Sequence, residues 1–186
     1  KEYRRQRQMC IRDRIFLEQQ DRGALNINLV TPTHYIPQII KALELSKSQG
    51  MNLPVVYNSG GYEKAEALKL LDGLVDVYLP DMKYMSPGLA GKYSKAQDYP
   101  AAAMAALAEM FRQVGTPVFE VEKPDDNTAT DEAGLIMKRG MIVRHLVLPG
   151  CTADSKAVVK YLYDTYGDDI YMSIMSQYLS LIHISE

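Results

Sequence analysis

Short apolar runs alternate with amphipathic stretches along most of the chain. "NINLVTP", "NLPVVYNSGG", "VDVYLPDMKY", "MIVRHLVLPG" and "DIYMSIMSQY" are nearly continuous and rich in β-branched residues. Such runs are expected of parallel strands covered by helices. Between them lie helical periods. "YIPQIIKALELSKSQG" puts Ile36, Ile39, Ile40 and Leu43 on one face and ends at Gly50. "YEKAEALKLLDG" predicts a short helix closed by Gly73, and "SPGLAGKYSKAQDYP" a loop with a short helix. "YPAAAMAALAEMFRQVG" predicts a longer helix with Pro100 in its first turn. "TADSKAVVKYLYDTYG" carries Val158, Val159, Leu162 and Tyr166 on one side, with Asp154 as the expected N-cap. Before the first strand, "IFLEQQDRG" reads as the tail of a helix stopped by Gly23. The polar stretch "VFEVEKPDDNTATDEAGLIMKRG" breaks this rhythm and is expected to be a surface excursion. Its acidic centre lacks the ligand spacing of a calcium loop.

This alternation predicts an α/β fold with a parallel sheet. Two architectures fit: a (β/α) barrel, whole or partial, and a doubly wound open sheet. No G-x-G-x-x-G follows a strand, which weighs against the dinucleotide-binding form of the open sheet. The reading adopted is a partial, TIM-like (β/α) barrel. The segment opens inside a helix, so a first strand is expected to be missing.

Both ends break the pattern. "KEYRRQRQMCIRDR" is strongly basic without a period, and "LSLIHISE" follows a strand with no turn chemistry between. Each resembles translated sequencing-adapter read-through. A basic arm or an RNA-binding tail is the other reading of the front. Residues 1–14 and 179–186 are therefore expected to be non-native, with one domain over 15–178.

Composition narrows the class. The chain has 186 residues, 47% hydrophobic and 24% charged, with a net charge of −2. That balance is ordinary for a soluble domain and favours neither nucleic acid nor an anionic membrane as partner. No apolar run is long enough to cross a bilayer. The two cysteines, Cys10 and Cys151, exclude a disulfide framework within this sequence and fit a cytoplasmic setting.

Candidate chemistry gathers where the strands end, because sites in parallel barrels and sheets sit at the C-terminal ends of the strands. These ends read "TPTHY", "YNSGGYE", "DMKY", "PGCTADS" and "SQY". Asp81 and Lys83 are two apart, so on a strand they share a face. They can serve a ligand or simply pair and solvate a strand end. Arg144 and His145 alternate, so one of the two faces inward, and Arg144 there would suit a carboxylate or phosphate. Gly60 and Gly61 supply a turn or let backbone approach a ligand. His34 can cap the helix that starts near Ile36 or hydrogen-bond locally. No second His or Cys stands at metal-ligand spacing.

"NINLVTPTHYIPQI", "LPVVYNSGGYEKAEALKLLDGLVDVYLPDMKY", "VRHLVLPG" and "YMSIMSQY" together resemble the radical S-adenosylmethionine proteins related to the pyruvate formate-lyase activating enzyme. The resemblance implies a partial (β/α) barrel with S-adenosylmethionine at its mouth and a [4Fe–4S] cluster that cleaves it reductively. It also implies a reducing partner such as flavodoxin or ferredoxin and a protein substrate on which a glycyl radical is made. The family's C-x3-C-x2-C cluster motif does not occur here, so the chain as given is expected to be inactive. Asp81 and Lys83 match the family's Asp-x-Lys, and Asn58, Ser59 and Gly60 its Thr-Asn-Gly-like turn. Where the family has Gly-Gly-Glu for the amino group, this chain has "TPTH", so Thr31, Thr33 and His34 are the candidates. Where it has a His near the last strand, this chain has Gln177. Arg144 or Lys83 would meet the ligand's carboxylate, Asp81 or Thr33 its ammonium, and Asn58 and Ser59 its ribose. The alternative function is a barrel lyase or aldolase with Lys83 as Schiff-base nucleophile.

Overall fold

A computed structural model describes residues 14–121 and 134–176. Cys10, Gln177, Tyr178 and both expected foreign tails, apart from Arg14, lie outside the described residues.

A helix over 14–21 (α1) ends at Gly23, whose φ of 79° suits the turn that stops it. There follow β1 (Ile27–Val30), a 3-10 turn (Thr33–Tyr35), α2 (Ile36–Ser48), β2 (Val55–Ser59), α3 (Ala65–Lys69) and β3 (Val77–Pro80). Next come α4 (Pro87–Ser94), α5 (Tyr99–Val114), β4 (Val118–Val121), β5 (Leu135–Leu146), α6 (Thr152–Tyr166) and β6 (Tyr171–Met175). The fold is α/β with a mostly parallel sheet of six strands.

Five strands run parallel. β1 pairs with β2, β2 with β3, β3 with β5 and β5 with β6. Each new parallel strand thus adds on the same side, and the order does not reverse among the described residues. The exception is β4, antiparallel to the first half of β5 from Val121↔Leu135 to Val118↔Arg139. Gly140 joins the two halves of β5. Its φ is 139°, and a Cβ there would lie 3.0 Å from Pro117 Cα, so the close passage suits glycine.

The expectation for 118–140 is met in part, since both described flanks lie at the surface, but the strand it precedes needs correction. "VFEV" and "LIMKR" are the two largely exposed arms of a hairpin, and β5 begins at Leu135 rather than Met141. Short apolar, β-prone runs on both sides of the acidic centre are the signal. That centre, 122–133, lies outside the described residues.

One core cluster joins the helices to one face of the sheet. Val55, Tyr57, Tyr78, Met141 and Val143 from the strands pack with Leu43, Leu68, Leu107, Met110 and Leu162 from the helices. Burying each such aliphatic side chain contributes about 2 kcal/mol. α5 also buries polar residues toward the core. Tyr78 donates to Gln113 Oε1 at 2.6 Å, and Gln113 Nε2 donates to the Leu68 carbonyl at 2.9 Å and to Glu109 at 2.7 Å. Arg112 and Gln113 hold the Glu109 carboxyl down at about 2.

The helix caps bring a second correction. Cys151, not Asp154, stands at the N-cap of α6. The Asp154 carboxylate instead accepts from the N–H groups of Met85 (3.1 Å) and Ser86 (2.7 Å), tying the entry of α4 to α6. Those donors are nearly seventy residues away, beyond the reach of a local capping rule. His34 sits in the 3-10 turn and caps nothing, since Tyr35 is the N-cap of α2 and no side chain closes it.

Candidate functional site

Side chains alternate between the two faces of a strand. The register Tyr78↔Met141 and the bridge Asp81↔Arg144 put Tyr78, Val143 and His145 on the helix-packed face. Asn58, Leu79, Asp81, Arg144 and Leu146 fall on the opposite face, which is only partly covered. This open face carries the candidate site.

Four polar side chains meet there at the ends of β2, β3 and β5. Asp81 Oδ1 accepts from Arg144 Nε at 2.9 Å and lies 2.7 Å from its Nη2 in an ion pair. Its other oxygen pairs with Lys83 Nζ at 3.1 Å. Arg144 Nη2 also donates to Asn58 Oδ1 at 2.8 Å. A Cβ placed on Gly60 would lie 3.8 Å from Lys83 Nζ, so that backbone faces the same cluster. Two cations against one carboxylate leave one net positive charge. The exposure of the Asp81 side chain is 23%, of Arg144 27% and of Lys83 43%. The cluster is thus shielded yet reachable, and Arg144 and Lys83 keep N–H groups for an anion. It opens on a cavity of about 410 Å³ whose walls include Tyr84, Leu146, Leu148 and Met175. That volume suits a small organic ligand, and the walls supply an apolar side opposite the charges.

Of the sequence-predicted residues, Asn58, Gly60, Asp81, Lys83 and Arg144 converge. Thr31 approaches through its backbone, donating its N–H to the Asn58 carbonyl at 2.8 Å, and holds φ at 50°. Thr33 and Ser59 are brought together elsewhere. Ser59 follows Asn58 and so points to the helix-packed side. There Ser59 Oγ donates to Glu63 Oε2 at 3.1 Å and Thr33 Oγ1 to Glu63 Oε1 at 2.9 Å. The Ser59 hydroxyl is therefore turned away from the face where Asn58 meets Arg144. His34 is exposed and apart from the cluster, and Gln177 lies outside the described residues.

His145 is buried and satisfied. Nδ1 donates to the Met82 carbonyl at 2.7 Å, and Nε2 lies in hydrogen-bond contact with Ser155 Oγ at 2.9 Å. The ring locks α6 to the end of β3. Cys151 is half-buried. Among the described residues no group of three or more His, Cys, Asp or Glu could hold a metal ion. No helix among them is long and apolar enough to cross a membrane.

Two residues escaped the sequence reading. Glu63 is 5% exposed, and burial raises its carboxyl pKa against the pull of its Thr33 and Ser59 hydrogen bonds. Burial likewise pushes Tyr57, whose hydroxyl donates to Thr33 at 3.4 Å, up to about 12. Tyr99 is 3% exposed, and its hydroxyl touches three backbone groups of the site. "YNSGGYE" contains Glu63 but does not separate it from a solvated helix start. Nothing local marks Tyr99.

No protein-family profile matches the chain, and no solved structure matches it. The chain is similar to an uncharacterized protein of Methanocaldococcus jannaschii, at 31% identity over 126 residues. The matched stretch covers 67% of this chain but 29% of that protein, so the chain spans less than a third of that relative's length.

Proposed function

We propose that this unit is part of a (β/α) barrel that binds S-adenosylmethionine at the ends of its strands, within a radical S-adenosylmethionine protein of the cytoplasm. The observation that carries the reading is the Asn58–Arg144–Asp81–Lys83 cluster beside a cavity of about 410 Å³. Parallel strands that add in chain order support the barrel, since a doubly wound sheet reverses its order at a switch point.

In this reading Lys83 and Arg144 receive the ligand's carboxylate. Asp81 already pairs with both cations, so its part is to hold them side by side. Asn58 turns the Arg144 guanidinium and faces the ribose. Leu146, Leu148 and Met175 offer the apolar wall for adenine. The ligand's ammonium falls to the backbone around Thr31, next to Asn58.

A [4Fe–4S] cluster, if resident, would supply the electron that cleaves the ligand. The residues present do not fit one: Cys10 and Cys151 are the only thiols in the sequence, and three are needed. No step is derived through it. The protein substrate and the flavodoxin or ferredoxin partner belong to the same proposal.

The aldolase alternative draws no support from the site. Lys83 is 43% exposed and paired with Asp81, whereas a Schiff-base lysine is activated by desolvation, and the cation beside it, Arg144, is offset by the same carboxylate.

Calorimetric titration with S-adenosylmethionine tests the reading. The expected result is binding to the wild type and a loss of about tenfold or more in Arg144→Met, since a charge-assisted hydrogen bond is worth about 1.5–3 kcal/mol. Equal affinity in both proteins, or no binding to the wild type, would refute it.

A further inference from the structure

The β-ladder stops before the charged pair does. β3 ends at Pro80. Beyond it Asp81 donates its N–H to the Ser59 carbonyl at 3.0 Å, and Met82 to the Arg144 carbonyl at 2.9 Å. The Lys83 N–H has no strand to bond. It donates to the Tyr99 hydroxyl at 3.0 Å. The same hydroxyl lies 2.9 Å from the Asp81 carbonyl and 2.9 Å from the Gly60 carbonyl, and its one proton is shared between them.

Tyr99 is placed to do this. It is the first residue of α5, followed by Pro100, and its ring sits 5.6 Å from Tyr62 and 5.7 Å, edge-on, from Tyr84. Tyr62 is tied in turn to Asp98 at 2.7 Å. The opposite wall is as tight. Gly61 has a φ of 76°, and a Cβ there would overlap the Asp81 carbonyl and lie 3.2 Å from the Tyr99 hydroxyl. Gly60, Asp81 and Lys83 therefore meet around one oxygen atom.

We propose that Tyr99 is a positioning residue of the strand-end site, its hydroxyl setting the backbone from which Asp81 holds the cationic Lys83 and Arg144 toward a bound anionic group. The inference rests on the ligand reading above for the identity of that group and not for the geometry. The hydroxyl acts through the Lys83 peptide and need not touch ligand.

The test is a double-mutant cycle on the full chain, with two probes. S-adenosylmethionine is titrated into wild type, Tyr99→Phe, Lys83→Met and the double variant. Sulfate is titrated into the same four proteins and followed by the amide shifts of Lys83 and Arg144. Tyr99→Phe should weaken binding of either probe about tenfold, the worth of one well-placed hydrogen bond. On the Lys83→Met background the same change should cost less than about twofold, because coupled groups do not add. A merely structural role predicts equal losses on both backgrounds, and that result, or unchanged affinity in Tyr99→Phe, would overturn the inference. Sulfate binding that depends on Tyr99 without S-adenosylmethionine binding would sink the ligand reading and leave this one standing. If the wild type binds neither probe, both fall. Should Tyr99→Phe fail to fold, 3-fluorotyrosine at position 99 keeps the ring and weakens the hydroxyl as acceptor. A loss of about twofold is then expected, and no loss would overturn the inference.

Discussion

Asn58 and Ser59 are neighbours in the chain, as are Arg144 and His145, yet within each pair the two side chains enter different worlds. Asn58 and Arg144 bond each other on the open face, within reach of solvent and a cavity. Ser59 and His145 point into the helix-packed side and are buried against Glu63 and Ser155. Pleating alone makes this division. On the closed face every polar contact described above replaces water that was excluded, so its worth is structural. On the open face Asp81 collects two cations and leaves their outer N–H groups free to meet something else. A polar residue at a strand end therefore says little until its face is known.

That contrast sets what substitutions should do. The largest effect is expected where the two faces meet, at Gly61. Alanine there would combine a positive φ with overlap against the Asp81 carbonyl, and should cost about 4 kcal/mol in urea denaturation. Closed-face His145→Ala comes next. It strips partners from the Met82 carbonyl and Ser155 and leaves a void, for a loss of about 3 kcal/mol of stability. Open-face Arg144→Leu should cost only about 1 kcal/mol of stability, because Asp81 keeps Lys83. A large stability loss in Arg144→Leu with none in His145→Ala would invert the comparison.

The smallest effect is a pH slope from Glu63. Burial raises its pKa, so the folded chain binds that proton more tightly than the unfolded one. Its contribution to stability is whole below the usual carboxylate range and is lost as pH rises through the raised value. Glu63→Gln should remove that part of the slope in stability measured from pH 4 upward. An unchanged slope would show that Glu63 titrates normally.

Much of this was legible in the chain. The alternation of apolar runs and helical periods located the five parallel strands, and spacing by two put Asp81 and Lys83 on one face. Alternation also separated Arg144 from His145, though not which of them faced the helices. What escaped depended on distant partners. The hairpin arms at Val118–Val121 and Leu135–Arg139 flank a long acidic stretch that masks their pairing. Asp154 looked like a local cap because Met85 and Ser86, its real donors, come from another part of the chain. Tyr99 is an ordinary helix-start tyrosine until Gly60, Asp81 and Lys83 fold around it. The family-like turn groups Ser59 with Asn58, and the pleat separates them.

The central claim is that the open-face cluster is the cradle of a sulfonium nucleoside. Amide hydrogen exchange with and without S-adenosylmethionine tests it most directly. Slower exchange confined to residues 57–61, 81–84 and 144–147 is the predicted result. Saturating ligand that leaves those segments unchanged, or that protects other segments instead, would contradict it.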